Sequence, residues 1–116
     1  MTARPALKVY GHIWPAQAEL ESELDCALAT AIQDDISNDI PLLCRDGDML
    51  RISFEGAWFP EGEVLDVLKR NLTPEHQGKL DVLDMDAWRM TRHIFKNGAI
   101  RSSSAPLNNV LDYSGF

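Results

Sequence analysis

From Leu7 to Ile13 the chain alternates apolar and polar positions, which predicts a strand with Leu7, Val9 and Ile13 on one face. The period then lengthens. Ala16, Leu20, Leu24, Ala27, Leu28 and Ala31 recur at helical spacing, so a helix is expected from Pro15 to about Gln33, with the proline in the first turn that tolerates it. Glu19, Glu23 and Asp25 lie on its other side, with Glu21 at the boundary. Asp34–Pro41 is polar and rich in turn formers, as a connection should be.

Asp46-Gly47 then supplies a two-residue turn of the kind that closes a β-hairpin. The expected strands are 41–45 and 48–55, with Cys44 opposite Met49, Leu43 opposite Leu50 and Arg45 opposite Asp48. Leu43, Leu50, Ile52 and Phe54 share the face taken as the core side, because a slip of one residue would bury Arg51 and Ser53 instead. A second helix is expected over Pro60–Leu72. Val64, Leu65, Leu68 and Leu72 repeat along it, with Glu61 and Glu63 at the start and Lys69 and Arg70 at the end, matching its dipole.

Beyond the turn from Thr73-Pro74 to Gly78, two helix starts compete. Asp81 as N-cap places Leu80 and Met85 for a hydrophobic staple and is preferred; Asp84 as N-cap would leave Lys79–Leu83 as a strand. Asn97-Gly98 reads as the end of this third helix. At 100° per residue, Ala87, Met90, Thr91 and Ile94 fall on one side, with Trp88 and Phe95 on its flank. Arg89, Arg92, His93 and Lys96 fall opposite, forming a cationic stripe. A short strand, Ala99–Ser102, and a final helix, Ser104–Tyr113 with Leu107, Val110 and Leu111 buried, complete the chain. The order β-α-β-β-α-α-β-α predicts an α+β fold, a small mixed or antiparallel sheet packed against three to four helices. All of residues 1–116 are expected to form one domain.

Charge sharpens this picture. Residues 1–66 carry 13 Asp/Glu against 4 Lys/Arg and residues 67–116 carry 5 against 7, so a net charge of −7 divides as −9 and +2. The acidic face of the first helix and the cationic stripe are complementary, which favours self-association or docking of a protein partner, with Trp58 and Phe59 as the apolar centre and Trp14 as a second candidate. Nucleic acid is disfavoured by the net charge: four phosphate contacts would lose about a hundredfold in affinity over a roughly fourfold rise in salt. The alternative is a small enzyme or ligand-binding domain holding an anionic small molecule with Arg89, Arg92 and His93, joined by Ser102–Ser104 if the last strand folds back beside them.

Catalytic motifs do not single out His12, His76, His93, Cys44 or the serines, so a binding role is expected before an enzymatic one. The histidine spacings suit no metal, and no cofactor is expected. Asp34-Asp35 with Asp39, and Asp46 with Asp48, do not follow a calcium-loop pattern. Two cysteines are too few for a disulfide scaffold, no apolar run approaches the roughly 18 residues of a membrane span, and the first residues lack a signal-peptide core. A cytoplasmic setting without membrane attachment is the expectation.

Overall fold

A computed structural model describes residues 6–33 and 41–107. Leu7–Trp14 forms β1, Ala18–Leu28 α1, Ile32–Gln33 β2, Leu43–Asp46 β3, Met49–Trp58 β4, Glu61–Asn71 α2, Gln77–Asp84 β5, Arg89–Lys96 β6 and Ala99–Pro106 β7. All the strands join one antiparallel sheet. Its order is β4-β1-β5-β6-β7, with β2 and β3 both pairing with the outer side of β4.

The expected third helix is therefore absent, and the expected fourth is a strand over residues 104–106, the part of it before Leu107. The architecture is mostly antiparallel sheet, seven strands with two helices among the described residues, and the α+β class holds only in that loose sense. The segment given to the third helix is a strand, a turn and a second strand. Asp84 does what a cap does, its Oδ1 accepting from the backbone N–H groups of Asp86 (3.1 Å) and Ala87 (2.9 Å). Trp88 then takes a left-handed φ of 57°, and the chain doubles back instead of coiling. Asn97-Gly98, with φ values of 56° and 76°, is the type I′ turn of a second tight hairpin rather than a helix end. Ser104–Pro106 belongs to β7; Leu107 is buried as expected, while Val110, Leu111 and the rest of the expected final helix lie outside the described residues.

The 43–58 hairpin forms, shifted by one residue in its turn. Asp46 pairs with Met49, Arg45 with Leu50, Cys44 with Arg51 and Leu43 with Ile52, so Gly47-Asp48 is the loop. Only Gly47 has a positive φ (62°), which is the type II′ arrangement with glycine first. Arg45 thereby turns toward α1. Its guanidinium donates to Glu21 Oε1 at 2.6 Å, to the Ala16 carbonyl at 2.9 Å and to the Gly47 carbonyl at 3.0 Å, bracing the hairpin against the start of the helix.

Both helices lie on one face of the sheet. Leu20, Leu24, Ala27 and Leu28 of α1 and Val64, Val67 and Leu68 of α2 pack onto Val9, Ile13, Leu50, Ile52, Phe54, Leu80, Val82 and Phe95. Arg70 and Asn71 of α2 donate to Glu23 of α1 at 3.2 and 2.7 Å, and these bonds hold that carboxyl below its usual range, the Asn71 bond contributing most.

A Cβ at Gly98 would meet only ordinary contacts with Pro74 and Thr73, so the cost of a side chain there is that of the left-handed backbone alone. Gly98→Ala is expected to destabilise the protein by about 1–2 kcal/mol, measured by urea denaturation; an unchanged midpoint would argue against the I′ geometry.

Candidate functional site

Alternation along β6 divides the cationic stripe. Register places Arg89, Thr91, His93 and Phe95 on the helix-covered side and Met90, Arg92, Ile94 and Lys96 on the other. A single helical surface carrying Arg89, Arg92, His93 and Lys96 therefore does not exist. The two aromatics proposed beside it also part: Trp58 is 52% exposed at the end of β4, while Phe59 is 3% exposed and packs tilted against Phe54 in the core, ring centroids 5.2 Å apart.

What the sheet gathers instead is a broad open face. Cross-strand register sets three rows on it: Ser53, Tyr10, Asp81, Arg92 and Ser103; then Arg51, His12, Lys79, Ile94 and Arg101; then Met49, Trp14 and Gln77 toward one end. With Lys8 and Lys96, six cations stand there against Asp46, Asp48, Glu55 and Asp81, a balance of +2 in a protein of net charge −7. Tyr10, Trp14 and Ile94 are exposed among them, and the His12 and Trp14 rings lie 5.4 Å apart. A shallow hollow of about 450 Å³ runs over Tyr10, His12, Arg51, Lys79 and Asp81.

Asp81 organises this face. It is 8% exposed and takes a two-pronged bond from Arg92, Nε to Oδ1 at 2.8 Å and a terminal nitrogen to Oδ2 at 3.0 Å, with Lys79 Nζ at 3.6 Å. The bond to Asp81 raises the Arg92 pKa above its ordinary value, holding the guanidinium charged and engaged with that carboxylate, so Arg92 is not free for a ligand. Lys8 and Arg51 pair with Glu55 and Asp46 at 3.4 and 3.5 Å. Lys96 and Arg101 have no ion-pair partner among the described residues.

The second feature is a groove of about 580 Å³ on the helix side, where α2 begins above β5 and β6. Trp58, Phe59, Pro60, Val82 and Leu7 form its apolar part; Glu61, Glu63, Asp84, Arg89, Thr91 and Ser104 supply the polar groups. Arg89 reaches Ser104 Oγ at 3.3–3.4 Å. Three carboxylates against one arginine do not suit a purely anionic ligand. The fold-back of the last strand beside His93 does occur, since His93 pairs with Ser102 and Thr91 with Ser104. His93, 4% exposed, lies between Glu61 Oε2 at 2.6 Å from Nε2 and Ser102 Oγ at 2.7 Å from Nδ1.

Glu61 escaped the sequence reading because a first-turn glutamate already has a helix-dipole explanation, and Tyr10, His12, Lys79 and Arg101 because no single segment carries the open face. The available signal was Asn97-Gly98: read as a hairpin turn, it sets Ser102 opposite His93. Cys44 is exposed and lies opposite Arg51, not opposite Met49 as expected from the sequence. Among the described residues, no group of three or more His, Cys, Asp or Glu is placed to hold a metal ion, and no helix is long and apolar enough to cross a membrane.

Burial first, then repulsion from Lys79 and Arg51, hold the His12 pKa below its usual 6.5 against an opposing pull from Asp81. A proton-detected titration is expected to give a midpoint under 6.5 that rises in both Lys79→Ala and Arg51→Ala. A depressed pKa means the folded state prefers the neutral ring, so this contribution is present above 6.5 and fades as pH falls below it. In a second test, Asp81→Ala is expected to cost about 2 kcal/mol by stranding Arg92, read from chemical denaturation; a loss no larger than that of Glu55→Ala would remove Asp81 from this organising role.

No family model matches the chain, and no curated protein or solved structure is significantly similar to it.

Proposed function

We propose that this protein is a docking and assembly module whose open sheet face receives an acidic protein surface, the helix layer of a second copy being the first such surface available. The observation that carries this reading is the segregation of charge across the sheet. The open face holds +2, with Tyr10, Trp14 and Ile94 exposed within it. Opposite, α1 carries Glu19, Glu21, Glu23 and Asp25 and no base of its own, with Glu21 and Glu23 met by Arg45 and Arg70 from neighbouring elements, and α2 carries Glu61, Glu63 and Asp66 against Lys69 and Arg70. The two faces of one molecule are thus complementary to each other in a neighbouring copy. Such a contact joins unlike surfaces and propagates head to tail instead of closing as a two-fold dimer.

The charges set orientation and encounter rate, while the aromatic column along β1 supplies the apolar centre a lasting interface requires. Nucleic acid remains the weaker partner, because a −7 molecule repels a polyanion on every approach except one. The unpaired, exposed thiols of Cys26 and Cys44 suit the reducing, cytoplasmic setting that goes with this reading.

Sedimentation velocity over the micromolar range tests it directly. In low salt the weight-average mass is expected to grow with concentration, and to return to that of the monomer in high salt. Lys96→Glu with Arg101→Glu, two exposed positions without an ion-pair partner among the described residues, is expected to abolish the growth and leave the unfolding midpoint unchanged. A protein that stays monomeric in low salt at every concentration overturns the self-association reading.

A further inference from the structure

Glu61, His93 and Ser102 meet from three elements: the first turn of α2, the middle of β6 and the middle of β7. The contacts are short, 2.6 Å from His93 Nε2 to Glu61 and 2.7 Å from His93 Nδ1 to Ser102. We propose that these three residues form a nucleophilic relay in which Ser102 attacks uncharged carboxylic esters bound in the adjoining groove. This site is separate from the open face, which lies on the other side of the sheet.

The hydrogen bonds define the roles. An ionised carboxylate only accepts, so in the neutral ring the proton resides on Nε2 and points to Glu61. Nδ1 is then the acceptor, and the Ser102 hydroxyl donates to it. That is the order acid–imidazole–hydroxyl used by serine hydrolases, with the two ring nitrogens exchanged, and either nitrogen serves as a base. Burial also grades in the required direction. The imidazole is 4% exposed, while Ser102 is exposed and available to a substrate. Glu61 is half-buried and belongs both to the relay and to the groove wall.

Ser102 does not itself line the groove; Glu61 and Ser104, which do, place it at the groove's margin, and the groove's walls then bear on the substrate class. Trp58, Phe59, Pro60 and Leu7 offer an apolar wall, whereas Glu61, Glu63 and Asp84 repel an anionic acyl group. Arg89, the one cation there, bonds Ser104, which follows Ser102 by two residues on the same side of β7. Thr91, opposite Ser104 and one position along the same face from His93, and the Arg89–Ser104 pair beyond it are the donors on this side of the sheet toward the charge that develops on the carbonyl oxygen.

In the reaction, Ser102 Oγ bonds to the ester carbonyl carbon as its proton passes to His93 Nδ1. The bond from that carbon to the leaving oxygen breaks, and the proton on Nδ1 goes to the departing alcohol. Water repeats the sequence on the acyl-serine, gives a proton to Nδ1, and releases the acid as that proton returns to Ser102. Glu61 retains the Nε2 proton by hydrogen bonding throughout; it is a positioning residue. The net change is ester plus water to acid plus alcohol.

The probe is 4-nitrophenyl acetate with the whole chain. Expected are nitrophenolate release faster than from the urea-unfolded chain and one acetyl group on the peptide bearing Ser102, both lost in Ser102→Ala. His93→Ala should lower the rate at least a hundredfold, about the contribution of a positioned general base. Glu61→Gln keeps the hydrogen bond without the charge and should lower the rate while moving the midpoint of its pH profile, a change that a purely structural pin would not produce. Ser102→Cys gives a readout that does not depend on hydrolysis: its thiol should react with iodoacetamide faster than the exposed Cys26 and Cys44 of the same chain. Equal acetylation in wild type and Ser102→Ala, or a thiol at position 102 no more reactive than the other two, overturns the proposal. Loss of self-association in the Lys96 and Arg101 variant leaves these outcomes unchanged, so the two proposals fail separately.

Discussion

Two eleven-residue helices must cover one face of a sheet that is six strands across where β3 flanks β4. Strands repeat at about 4.8 Å, so the outer strand axes stand about 24 Å apart, while two packed helices span about 20 Å. The cover therefore runs short at the β6–β7 side, which leaves the groove below the start of α2. The opposite face has no cover from any described element. Every functional feature follows from this mismatch: a groove at the margin of the helix layer, and an open face where polar and aromatic side chains stand together.

Much of this was legible locally. β1, α1, the 43–58 hairpin and α2 each announce themselves by one dominant period; β1, the hairpin and α2 form close to where it places them, whereas α1 is shorter than expected, starting at Ala18 beyond Pro15 and ending at Leu28, with Ile32–Gln33 a strand. The Ala87–Lys96 segment misled for an identifiable reason. Both of its strand faces mix polar with apolar residues: Thr91 and His93 stand with Phe95, and Arg92 with Met90 and Ile94. Period two is masked when neither face is uniformly greasy, and a spurious helical arc appears in its place. Turn chemistry was the better witness. Asn97-Gly98 fits both a helix end and a tight hairpin, but the β-branched and aromatic residues before it, Thr91, Ile94 and Phe95, favour extended chain.

The candidate sites were less visible because register, not sequence proximity, assembles them. His93 and Ser102 are neighbours only once the second hairpin closes, and Glu61 joins them only when α2 settles over β6. The arginines and lysines of the open face come from five different strands. Asp81, expected as a helix cap, proves to be the carboxylate that Arg92 and Lys79 meet, with Tyr10 its cross-strand neighbour.

The separation of sign between the helix layer and the sheet face also acts at a distance. A molecule with opposite poles carries a dipole moment, and an approaching charged body exerts a torque on it before anything touches. At physiological salt that torque sets in at about 8 Å, the screening length. Within that shell the protein rotates to present one pole, so which side a newcomer meets is decided by its charge and not by chance collision.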